Sequence, residues 1–90
     1  MAELYRHRSG ATVGGGDRHT MYYDYRGRRW EVPVEREDVD LIYVVKGQTW
    51  ADGEPMTRED IEFAVSVIRE AYLAWQQPCH ISRFDLKEST

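Results

Sequence analysis

Cysteine occurs once in the 90 residues, as Cys79, so no disulfide can form within the chain. A lone thiol of this kind is expected to pack as a small apolar group. Histidine is scarce too: His7, His19 and His80. His80 follows Cys79 directly, but zinc is normally held by ligands in spaced pairs, and there are none. No metal and no cofactor is expected. The longest apolar run, LIYVV (residues 41–45), is far short of the roughly 20 residues of a membrane span. The first ten residues, MAELYRHRSG, lack the apolar core of a signal peptide. The expectation is a cytoplasmic protein with no membrane partner.

Catalytic motifs are missing as well. No Ser or Cys stands in a recognisable nucleophile motif, and the carboxylates of EREDVD (35–40) and REDIE (58–62) sit where turns and helix starts use them. The chain is not expected to be an enzyme. Repeats and low-complexity blocks are absent. A chain this short is one domain, 1–90, which buries only about 60% of the surface that its unfolded form exposes.

What is present is charge, unevenly spread. Residues 1–30 carry a net +3 and residues 31–90 a net −7, giving −4 overall. Nucleic-acid affinity comes largely from neutralised phosphates, so an acidic domain suits a basic protein better. SGATVGGGDR (Ser9 to Arg18) holds three consecutive glycines. A phosphate loop would need a helix behind the glycines, with Lys-Ser/Thr in the triphosphate version, and a strand follows here instead. Residues 9–18 read as a flexible Gly-rich loop.

MYYDYRGRRWEVPVE (21–35) reads as two strands around Arg26-Gly27. That register sets Tyr25 against Arg28, Asp24 against Arg29, Tyr23 against Trp30, Tyr22 against Glu31 and Met21 against Val32. Met21, Tyr23, Tyr25, Trp30, Val32 and Val34 then share one face, and Tyr22, Asp24, Arg29, Glu31 and Glu35 the other. Pro33 cannot donate to a ladder, which puts it at an edge or beside a bulge. Val39 to Val45 follows as a strand apolar on both sides, hence central. AELYRH is a candidate fourth strand. WADGEPMT (50–57) is an irregular loop with Asp-Gly and Pro turn signals.

The helix signal is the clearest. Thr57 is placed to cap, with Asp60 three residues on, and Glu59, Asp60 and Glu62 suit the positive end of the helix dipole. Ile61, Ala64, Val65, Ile68, Tyr72 and Trp75 make one apolar stripe, and Pro78 stops the run. A helix over about 57–77 would be some 30 Å long. In the tail, Ile81, Phe84 and Leu86 suggest a short docking strand, with 85–90 frayed. The fold class is α+β: an antiparallel sheet of three or four strands with one long helix across a face. An open edge near Pro33 or at the first strand would permit a homodimer.

The aromatics and arginines of the hairpin also raise a nucleic-acid reading. In the register above only Tyr22 faces outward, so the exposed remainder is a tip of Tyr22, Arg26 and Arg28 that a partner could use. From the hairpin through LIYVVKGQTWADGEPMTREDIEFAVSVIREAY the chain resembles small immunity proteins of bacterial polymorphic-toxin and contact-dependent inhibition systems. The resemblance is carried by Tyr43, Trp50, Asp52, Gly53, Pro55, Met56, Thr57, Glu59, Asp60, Ile61 and Ile68, and spans residues 21–72. It implies a non-catalytic protein that binds and neutralises a cognate toxin. A basic nuclease would suit residues 35–62, where nine acids face three bases. The candidate contact residues are then Glu35, Glu37, Asp38, Asp40, Asp52 and Glu54, with Trp50 beside them. A phage or mobile-element inhibitor and a nucleic-acid module on the Tyr/Arg hairpin are the alternatives.

Overall fold

The computed structural model describes residues 4–45 and 47–83. Six strands and one helix follow in the order β1 (Tyr5–Arg6), β2 (Thr12–Gly14), β3 (Thr20–Tyr25), β4 (Arg28–Glu35), β5 (Asp40–Val44), α1 (Arg58–Trp75) and β6 (Cys79–Arg83). Sheet order matches chain order, β1-β2-β3-β4-β5-β6. Each neighbouring pair is antiparallel except β5 and β6, which run parallel. The α+β class therefore holds, but the sheet has six strands and is mixed. The reason lies in the connection: parallel neighbours need a long crossover, and α1 supplies it between β5 and β6.

The hairpin register is the one read from the sequence, from Tyr25↔Arg28 to Met21↔Val32, and it continues to Thr20↔Pro33. Arg26 and Gly27 both have positive φ, 54° and 76°, the backbone of a two-residue type I′ turn. Met21, Tyr23, Trp30 and Val32 are fully buried. Pro33 is neither on an edge strand nor alone. β4 pairs with β3 as far as Pro33 and with β5 at Val34 and Glu35. The Val34 N–H points to the His19 carbonyl (3.1 Å), so the donor that Pro33 lacks faces away from β3, where the two ladders change over. The edge strands among the described residues are β1 and β6.

The Gly-rich stretch 9–18, read as a loop, contains a strand. Thr12 and Val13 pair on both sides, Val13 lying between Tyr5 and Tyr23, and Gly14 pairs with Tyr22. Beyond them Arg36 ties the glycines down: its Nε donates to the Asp17 carbonyl (2.9 Å) and its Nη2 to the Gly15 carbonyl (3.4 Å). Gly16 has φ +87°, and a Cβ there would overlap the Thr20 carbonyl, so this position requires glycine. β1 has only two residues, and side chains hold it to α1. Buried His7 accepts the Ser9 N–H at Nδ1 (3.1 Å), and its Nε2 lies 3.1 Å from Glu70.

Thr57 and Asp60 form the reciprocal cap: Thr57 Oγ1 accepts from the Asp60 N–H (3.0 Å) and Asp60 Oδ2 from the Thr57 N–H (2.9 Å). α1 ends at Gln76, whose left-handed φ of 58° turns the chain before Pro78. Eighteen residues give about 27 Å, shorter than the expected span by a turn's fraction. Its buried stripe holds the expected Ile61, Ala64, Val65, Ile68 and Tyr72, broadened by Val67 and Ala71. Arg83 of β6 makes a two-pronged ion pair with Glu62 of α1 (3.0 and 2.8 Å). Phe84, Leu86 and the frayed tail 85–90 lie outside the described residues. No described helix is long and apolar enough to cross a membrane.

Between sheet and helix lie Val13, Met21, Tyr23, Trp30, Val32, Val34, Ile42 and Val44, with Trp50 and Met56 added from the loop. Two phenols are buried here. Tyr72 donates to Asp40 Oδ2 at 2.7 Å, while the Tyr23 hydroxyl has no partner among the described residues. Burial raises the pKa of both above the ordinary 10.0; beyond burial, Tyr25 and Asp60 add to this at Tyr23, and Asp40 does at Tyr72. Unfolded tyrosines ionise near pH 10.0 while these two stay protonated, so above that pH the folded state binds more protons. Their contribution is intact below pH 10.0 and falls above it, by up to about 1.4 kcal/mol per pH unit for each phenol. Urea unfolding across that boundary should show the fall, and the double variant Tyr23→Phe/Tyr72→Phe should flatten it.

Candidate functional site

β4 is the axis along which the expected contact residues separate. Arg28 opens it and Glu35 closes it, about 23 Å apart at strand spacing. Glu35, Glu37, Asp38 and Asp40 lie at or beyond the second end. Asp52 and Glu54 lie at the first, against Arg28. The carboxylates form two groups and do not make one continuous acidic face.

At the first end the groups hold one another. Asp52 Oδ1 accepts the Glu54 N–H (2.9 Å), and Gly53, at φ +95°, closes the turn. Arg28 reaches Asp52 at 3.6 Å and Glu54 at 3.8 Å, and its guanidinium lies 4.7 Å over the Trp50 ring. Trp50 does not stand open beside the contact acids: only 4% of it is exposed. Its ring lies almost parallel to Tyr23 (22°, 6.2 Å between centroids), while its backbone is anchored by the Ala51 N–H on the Arg29 carbonyl (2.7 Å). The loop folds inward because β5 does not reach this half of β4, leaving the Tyr23–Trp30 end of the core to be covered by another apolar group. The tip is also partly engaged. Arg26 is exposed with its guanidinium 5.0 Å over Tyr25, and Arg29 covers Tyr22 at 4.2 Å while binding Asp24 (2.8 and 3.3 Å). Tyr22, the one outward aromatic of the hairpin proper, is thus already stacked on.

At the second end the acids differ sharply. Asp40 points inward, its side chain 15% exposed between Tyr72 and Arg36 (Nη1 at 3.4 Å). It belongs to the packing under α1 and is no longer a candidate for open contact. Glu35 is within 3.1 Å of His19. Glu37 and Asp38 are exposed at the β4–β5 turn and make no ion pair among the described residues.

Two concavities offer little chemistry. A cleft of about 250 Å³ has Met21 as its floor, with Trp75, Arg36 and the glycine loop as walls. All three Arg36 nitrogens already hold the loop or Asp40. A shallower one lies beside Glu31 and Gln48. Among the described residues no three His, Cys, Asp or Glu side chains are grouped to hold a metal. Burial raises the Cys79 thiol pKa, against catalytic use as a thiolate.

The residues missed from sequence lie on the far side of the sheet. Side chains alternate along β5, so Ile42 and Val44 enter the core while Val39, Leu41, Tyr43 and Val45 point away from α1. Val39 is 41% exposed and Val45 38%, and Leu41 is half-buried. Glu31, exposed on β4, shares that face. The signal was available: one helix covers one face, so a strand apolar on both sides must leave one row without it. No protein family, no curated protein and no solved structure matches the chain.

Trp50 distinguishes the structural role from the contact role. Trp50→Ala should cost about 3–5 kcal/mol in urea unfolding, as expected for a core aromatic. A surface contact residue would leave stability within about 0.5 kcal/mol.

Proposed function

We propose that the chain is a non-catalytic cytoplasmic inhibitor that binds a cognate bacterial toxin and covers its active surface, in the manner of an immunity protein. The observation that carries this reading is the exposed turn with Glu37 and Asp38 free of ion pairs among the described residues, beside Glu35. Carboxylates left without cations attract a basic partner and quicken its arrival. A nuclease toxin fits this chemistry, because its working surface is built to hold phosphates. The nucleic-acid alternative lacks support of this kind: single-strand binders offer several open aromatic faces, and here the hairpin gives Tyr22, stacked by Arg29.

The test is rescue. Each open reading frame beside this gene is expressed from an inducible promoter, with and without the chain, and growth is followed. A neighbouring product that stops growth alone and is tolerated with the chain is the expected result. Toxicity that persists in every co-expression would overturn the reading.

A further inference from the structure

We propose that the sheet face opposite α1 is the docking surface, centred on Val39, Leu41 and Val45, and that its partner presents apolar side chains flanked by lysine or arginine. The inference deepens the inhibitor reading and rests on it for the partner being a protein. Outward residues of β5 and its flanks recur every second position, so Val39 to Val45 form a row about 20 Å long. Two of the four large apolar residues exposed among those described, Val39 and Val45, belong to this row. Leu41 lies between them, beside Glu35 of β4 and His80 of β6. No described helix lies on this side.

Charge identifies the occupant. Glu31 on β4 and Glu37 and Asp38 on the turn border the row without ion pairs among the described residues, and Glu35 has only His19. On the same face Arg29 is bound to Asp24, lies over Tyr22 and interacts with the Glu31 charge, so Glu37 and Asp38 are the border acids left open among the described residues. An apolar centre with a one-sided acidic border is complementary to an apolar centre with a basic border. The hydrophobic row supplies affinity, and the carboxylates supply orientation and speed of encounter.

The probe is an amphipathic peptide of leucine and lysine, titrated into the isotope-labelled full chain at low ionic strength and followed by amide chemical shifts. The expected result is saturable binding, with shifts concentrated on Glu31, Glu35 and residues 37–45. The Val39→Ser/Leu41→Ser variant and the surface variant Glu31→Gln/Glu37→Gln/Asp38→Asn should each weaken it about tenfold. Absence of saturable binding, shifts centred on α1 or β1–β2, or wild-type binding by both variants would overturn the proposal. So would a dimer in sedimentation that Val39→Ser/Leu41→Ser dissolves, since a second copy would then be the occupant. Binding that appears only when residues 84–90 are removed would assign the face to the chain's own tail. Failure of the inhibitor reading is separate: no neighbouring toxin is rescued, while the peptide still binds here.

Discussion

Arg26 and Gly27, at φ of 54° and 76°, close β3 onto β4 in two residues. A type I′ turn matches the right-handed twist of the strands, but it asks a non-glycine residue to adopt a conformation that costs about 1–2 kcal/mol. That cost is borne because everything downstream follows the register. With Tyr25 opposite Arg28, the pairs Tyr23–Trp30 and Met21–Val32 face α1. A slip of β4 by one residue would send Trp30 and Val32 to solvent and bring Arg29 and Glu31 inward, opposite Met21 and Tyr23. In this register Trp50 stacks near Tyr23, and Arg28, beside the hairpin turn, covers Trp50.

The second constraint is that six strands share one helix. α1 closes one face and provides the crossover that makes β6 parallel to β5. The remaining face has to be tolerated by its own side chains. On β3 and β4 it is, through Tyr22, Asp24, Arg29 and Glu31. On β5 it is not, because Val39, Leu41 and Val45 are apolar there too. No described helix covers that row, and it carries the docking proposal.

Much of this was legible in advance, for physical reasons. Alternation at period two exposed the hairpin register, and Thr57 with Asp60 marked the helix start through a cap whose two bonds are local. What escaped depended on distant partners. Thr12–Gly14 are a strand because β1 and β3 flank them and Arg36 holds the next turn from 21 residues away. Cys79–Arg83 is a parallel strand because α1 is long enough to return the chain beside β5. The contact set was read from composition, which counts Asp40 and Asp52 as neighbours in charge. The fold turns Asp40 toward Tyr72 and sets Asp52 on Arg28 at the far end of β4.

The central claim is therefore that the aromatic hairpin is core and the outer row of β5 is surface. Hydroxyl-radical footprinting of the folded chain, read residue by residue in a mass spectrometer, tests both halves together. Tyr23, Trp30 and Trp50 should stay unmodified until the protein unfolds, while Val39 and Val45 are labelled along with Leu73, the most exposed of the described large apolar residues. Early labelling of Tyr23 or Trp30, or protection of Val39 and Val45, would contradict the account.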